Sequence, residues 1–103
     1  MRAQLIAAQL KRGREGDLVR LHEELNKLEQ PDSGLIRSLL LQDQRDKSRI
    51  YTLVVFESEK KARERESDPR RQEGLQSLRA LMVKIFDGPP EFVDLNLVKE
   101  FVP

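Results

Sequence analysis

Few side chains in this chain can do chemistry: it has one histidine, one tyrosine, no cysteine and no tryptophan. His22 is the one residue whose ordinary titration falls near neutrality. It is therefore the candidate for handling a proton, as general base or hydrogen-bond donor at a pocket mouth. It also follows Leu21 at the border of an apolar helical stripe, where its plainer role is a half-exposed flank. No nucleophile is spaced locally to pair with it, so a Ser-His-Asp arrangement has no support. Tyr51, within IYTLVVF, could orient a phenolic substrate or simply pack, with its hydroxyl at a sheet edge. Ser38, beside Arg37, interrupts the apolar run LIRSLLLQ, and either residue could line a cavity or face solvent. Gly74 stands inside a helical stretch, where glycine costs about 1 kcal/mol relative to alanine. It signals either a close helix approach or room for a ligand beside the backbone, and Leu78 lies one turn further on. Without cysteine there is no disulfide scaffold, thiol nucleophile or thiolate metal site, and one histidine cannot build a multi-histidine cluster.

These residues need elements to hold them. Arg2 to Leu10 reads as a short strand that Gly13 ends. From Asp17, Leu18, Leu21, Leu25 and Leu28 follow the spacing of an amphipathic helix, stopped after Gln30 by Pro31. Asp32-Ser33-Gly34 is turn chemistry. Leu35–Gln42 and Ile50–Phe56 are the strongest strands, joined by seven polar residues from Asp43 to Arg49. Glu57 to Glu66 is charged and helix-prone. Ser67-Asp68-Pro69 interrupts it, with Asp68 as N-cap and Pro69 first in the next helix. Leu75, Leu78, Leu81, Met82, Ile85 and Phe86 form that helix's apolar face, which Gly88-Pro89-Pro90 closes. Phe92 to Val102 reads as the last strand. The Lys60-to-Arg71 tract mixes six basic with three acidic residues and reads as a solvated helical face.

The order β-α-β-β-α-β predicts one α+β domain over residues 1–103: a ferredoxin-like, four-stranded antiparallel sheet with its helices on one face. Nineteen basic against eighteen acidic residues leave a net charge of +1, which gives no electrostatic footprint for nucleic acid or a membrane surface. An RNA-recognition module shares the topology, but the first strand lacks aromatics and IYTLVVF lacks the basic-glycine-aromatic signature. No apolar run approaches the roughly 20 residues that span a bilayer, and no signal-peptide pattern opens the sequence, so a cytoplasmic location is expected.

Two helices cover one face of such a sheet, yet both faces are apolar. Strand three sets Ile50, Val54 and Phe56 against Tyr51, Leu53 and Val55, and strand two divides Leu35, Leu39 and Leu41 from Ile36 and Leu40. A second copy is the economical cover, which predicts a homodimer.

The segment Val54 to Arg65, VVFESEKKARER, resembles the strand-to-helix junction of the antibiotic biosynthesis monooxygenase-like (ABM) family. That family often has tryptophan where Phe56 stands, then acidic residues around a serine. The Pro31-to-Gly34 turn, the Ser67-Asp68-Pro69 break and the Gly88-Pro89 exit are similar too. The resemblance covers nearly the whole chain and implies a dimeric α+β barrel, two ferredoxin-like units packed sheet to sheet with the last strand often reaching the partner. Relatives include cofactor-free oxygenases of polyketide quinols, quinol oxygenases and haem-degrading enzymes. In the haem-degrading branch an asparagine, a tryptophan and a histidine act near the positions of Ile6, Arg65 and Gly74, so neither haem degradation nor a bound metal is expected here. The polyketide oxygenases use a tryptophan close to the junction, where Phe56 or its neighbours stand. The resemblance implies a cofactor-free monooxygenase of a small aromatic or quinol substrate. The alternative is a non-catalytic ligand-binding or structural dimer; a regulatory domain of the same topology needs no catalytic residue. Relatives keep their cavity between helices and sheet. There His22, Gly74, Leu78, Ser38 and Tyr51 would surround a flat hydrophobic ligand, provided register puts Ser38 and Tyr51 on the same side.

Overall fold

A computed structural model describes residues 1–103. The elements are β1 (Arg2–Gln9), α1 (Glu15–Asn26), β2 (Leu35–Gln42), β3 (Arg49–Phe56), α2 (Glu59–Ser67), α3 (Pro69–Ile85) and β4 (Glu91–Asn96). No helix is long and apolar enough to cross a membrane.

Local chemistry sets the helix ends. Glu15 and Asp17 sit in the first turn of α1, at the positive end of its dipole. The helix stops at Asn26, four residues before the expected Gln30, because Leu28 and Glu29 bond three residues back, to Leu25 and Asn26 at 3.1 and 3.2 Å. This tightened turn precedes Pro31, whose ring disfavours helical backbone in the residue before it. Ser58 caps α2 by accepting from the Lys61 N–H at 3.1 Å. Asp68 ends that helix and caps α3, accepting from the Arg70 N–H at 2.9 Å, with Pro69 at the first helical position.

The sheet order is β2-β3-β1-β4, antiparallel throughout, so β1 is central and both crossovers pass over the same face. This is the expected ferredoxin-like α+β arrangement. Pairings Gln4↔Val54, Ile6↔Thr52 and Ala8↔Ile50 define the face beneath the helices. A bulge between Leu35 and Arg37 changes the parity of β2. Leu35 therefore packs under the helices with Val54, Phe56 and Ala62, while Leu39 and Leu41 are exposed on the far side. Simple alternation had grouped Leu35 with Leu39 and Leu41, and the inserted residue corrects it. The main core joins Leu10, Leu18, Leu21, Ile50 and Ile85, with Leu25, Leu78, Leu81 and Met82 packed around them.

The last strand is shorter than Phe92–Val102. Its ladder runs from Glu91 opposite Ala7 to Asn96 opposite Arg2, and the Leu97 N–H then bonds the Met1 carbonyl at 2.9 Å. Past Leu97 the chain leaves the ladder. Val98, Phe101 and Val102 project into solvent, and Glu100 lies 3.6 Å from Arg37 on β2.

The sheet face away from the helices carries Ala3, Leu5, Ala7, Leu39, Leu41, Leu53, Val55, Val93 and Leu95, and no element of the chain covers it. On the helix side, Arg2 is 5% exposed and gathers Asp94 (2.9 Å), Glu59 (3.2 Å) and Glu66 (3.3 Å), tying β1 to β4 and to α2.

Candidate functional site

Between α1, α3 and the sheet lies a cleft of about 980 Å³. Ile6, Ala8, Leu40, Ile50 and Val54 form its floor; Leu21 and Leu25 of α1, Leu75 and Met82 of α3, and Phe86 just past its end form its walls. The volume arises because β1 presents small or polar side chains, Gln4 and Ala8, where the helices span the sheet. An apolar cleft with a few convergent polar groups is the usual form of a small-molecule site.

His22 lies in the cleft wall, half-buried, one turn before Asn26. Its Nδ1 is 3.3 Å from the Asn26 Nδ2 and its Nε2 is 3.5 Å from the Ser38 Oγ across on β2. With the amide nitrogen of Asn26 donating to Nδ1, the neutral ring carries its proton on Nε2 and presents it to Ser38. The structure thus brings together two residues separated by sixteen positions, a hydroxyl and an imidazole at the edge of an apolar space.

The other three residues expected there are elsewhere. Tyr51 pairs with Ala7 and Leu41, opposite in facing to Ile50 and Thr52, so it lies on the far side of the sheet from Ser38. Its ring stacks near the Arg49 guanidinium, 5.5 Å from the centroid. Register decides this: Ser38 stands opposite Val54, an even number of residues from Thr52, and Tyr51 has the other parity. Gly74 leaves no ligand room, because a Cβ built on it would lie 2.3 Å from the Leu28 Cδ2. It is the point where α3 meets the turn after α1. Leu78 packs into the core beneath the helices and does not reach the cleft.

Charged residues from the tract read as solvated were missed. Arg65 turns inward, 13% exposed, and grips Glu29 through its Nε and Nη2, each at 2.9 Å, while its Cζ sits 5.1 Å over the Phe56 ring. Burial pushes the Glu29 carboxyl up, but hydrogen bonds from Arg65 and then Ser33 outweigh it and hold the group below its ordinary range. Arg71 also lines the cleft, and its Nη1 is sealed from solvent with no hydrogen-bond partner. Burial first, then the like charge of Arg65, lower its pKa, while Glu29 and Glu66 act the other way. Arg71, Leu75 and Arg79 recur at four-residue intervals along the cleft side of α3, and that periodicity was the available signal.

No family profile matches the sequence, and no curated protein does. Solved structures are similar over nearly the full length. A Nitrosomonas europaea protein provisionally named an antibiotic biosynthesis monooxygenase superposes with a TM-score of 0.75 at 14% identity, covering 96% of this chain and all of its own. A Bordetella bronchiseptica protein with the same provisional name gives 0.74 at 19% identity, covering 95% of this chain and 97% of its own. A mutant of SnoaB, described as a cofactor-independent oxygenase from Streptomyces nogalater, gives 0.72 at 12% identity, covering 96% and 95%. At these identities the likeness establishes the fold: the chain has the architecture of the ABM structures.

Proposed function

We propose that the chain is a single ABM-like domain whose cleft binds a small, flat, largely apolar molecule. In this reading it acts as a cofactor-free monooxygenase on an aromatic or quinol substrate. One observation carries the reading: an apolar cleft of about 980 Å³, set where helices meet sheet, has the His22–Ser38 pair at its wall. The fold shared with a cofactor-independent oxygenase supports it. Such chemistry needs a base to take a phenolic proton so that the electron-rich anion can react with oxygen, and His22 is the side chain placed to do so. For that step the ring takes its other tautomer, with Nδ1–H donating to the oxygen of a turned Asn26 amide and Nε2 unprotonated; Ser38 would then donate to Nε2, and a substrate hydroxyl would take its place.

Ligand binding without turnover is the second reading, favoured by the absence of any tryptophan. The two separate in a screen of oxygen consumption with substituted hydroquinones. Turnover that falls at least about tenfold in His22→Ala, with melting unchanged, fits the oxygenase. Binding of the same compounds without oxygen uptake would leave a binding protein.

The functional unit in this proposal is a homodimer closed through the uncovered sheet face. Leu39, Leu41, Val93 and Leu95 are each at least 40% exposed there, while Leu5, Leu53 and Val55 complete a continuous apolar surface. Two such faces bury each other and leave both clefts, on the opposite side of each sheet, open to ligand.

A further inference from the structure

We propose that the cleft selects ligands carrying an anionic oxygen on their planar apolar body, and that Arg71 is the residue that receives it. This rests on the proposed reading of the cleft as a small-molecule site. The ionic pairing within the cleft leads to it. Two carboxylates face the cleft from the α1 turn and from α2, and both are engaged: Glu29 by Arg65 and Glu66 by Arg2. Asp87 lies at the opposite end, next to Gly88 and the prolines. Arg71 has no carboxylate within ion-pair distance and no acceptor for Nη1. Arginine does not relieve this by losing its proton at any accessible pH. A buried donor with no acceptor is costly, so an incoming oxyanion that draws the guanidinium toward the cleft recovers that cost as affinity.

Position makes the group useful. Leu75 follows Arg71 by one turn on the same side of α3, and the cleft floor beyond is aliphatic. A ligand with its anionic oxygen at Arg71 would lay its rings along Leu75 toward Met82 and Phe86. Arg79 lies two turns from Arg71, about 12 Å along the helix axis. It is exposed and so more strongly screened. The selected feature is the charged oxygen; a carboxylate and an ionised phenol both offer it.

Isothermal titration with 2-naphthoate, naphthalene-2-carboxamide and an acidic nitronaphthol, ionised at neutral pH, tests this. Wild type should bind naphthoate at least about tenfold more tightly than the neutral carboxamide, the usual size of a charge-assisted hydrogen bond. Arg71→Met should remove that preference and leave carboxamide affinity within about threefold, Arg71→Lys should keep part of it, and Arg79→Gln should change it by less than about threefold. Nitronaphthol preferred as strongly as naphthoate defines the site as one for oxyanions generally; preference for naphthoate alone narrows it to carboxylates. Equal affinity of wild type for naphthoate and carboxamide overturns the inference while the cleft remains a ligand site. An unchanged preference in Arg71→Met overturns it too. Failure of all three probes to bind wild type removes the reading of the cleft itself. If Arg71→Met does not fold, equal wild-type affinities or an undiminished preference in Arg71→Lys still overturn the inference, and a preference reduced in Arg71→Lys but kept in Arg79→Gln supports it.

Discussion

Replacing Gly74 by alanine should destabilise this protein, although the same change stabilises most helices. Alanine gains about 1 kcal/mol over glycine in a helix interior. Here the new Cβ would stand 2.3 Å from the Leu28 Cδ2, 3.1 Å from Cδ1 and 3.2 Å from Cγ, all within one side chain. Leu28 must therefore retreat by about 1 Å to reach ordinary contact. It is held in the tight turn after α1, so retreat means an off-rotamer side chain or a shift of α1 against α3. Overpacking of this kind costs about 1–3 kcal/mol. The net is a loss of about 1 kcal/mol, or about 4 °C in melting temperature for a domain of this size. Shortening Leu28 reverses the sign. In a Leu28→Ala background the obstructing atoms are gone, and Gly74→Ala should stabilise by about 1 kcal/mol, giving a coupling of about 2 kcal/mol between the two sites. Urea unfolding of the four proteins, at constant m-value, measures the cycle. If Gly74→Ala has the same sign in both backgrounds, the close-approach account of Gly74 is wrong.

Arg65→Met should cost about 1–3 kcal/mol by stranding the half-buried Glu29 carboxylate, and Glu29→Gln added to it should recover part of the loss in urea unfolding. Because the folded Glu29 pKa lies below its ordinary value of 4.5, its contribution to stability is present above that pH and fades as pH falls through the lowered value. Glu29→Gln should flatten that part of the acid-unfolding curve, followed by circular dichroism. Arg2→Met should lose only about 1–2 kcal/mol by thermal melting, since Asp94, Glu59 and Glu66 are more than half exposed and return to water when the buried partner goes. Leu53→Asp, in the middle of the uncovered sheet face opposite Leu5 and Leu39, should give a 12 kDa species by light scattering, whereas wild type gives about twice that.

Strand order, both crossovers and the Asp68-Pro69 restart of the helix could be read along the chain because each follows from local chemistry: period, caps and turn residues. The site was less legible because it depends on parity. Ser38 reaches His22 and Tyr51 does not, and the difference lies in one extra residue, Ile36, inserted without glycine or proline to announce it. Gly74 was visible as an anomaly, but its neighbour Leu28 is 46 positions away and belongs to a turn that periodicity had extended into helix. Arg65 and Arg71 sat in a tract of mixed charge whose composition implies solvent; only the orientation of α2 and α3 over the sheet turns two of those cations inward. The end of β4 depends on its register against β1, a relation between two strands that neither shows alone.

The central placement of β1 has a consequence for synthesis. Of the four strands this one is synthesised first, yet it is completed by the last: Arg2 waits for Asp94, 92 positions later, and both edges of β1 stay unpaired until β3 and then β4 emerge. Contacts of such long sequence separation make folding slow relative to helical bundles of equal size. During translation the nascent chain carries an open strand edge that a neighbouring polypeptide on the same messenger could pair with. Losing β4, by a premature stop or by proteolysis, would make that temporary exposure permanent. Soluble yield should therefore fall far more steeply on trimming into β4 than on trimming the solvent-facing residues that follow it.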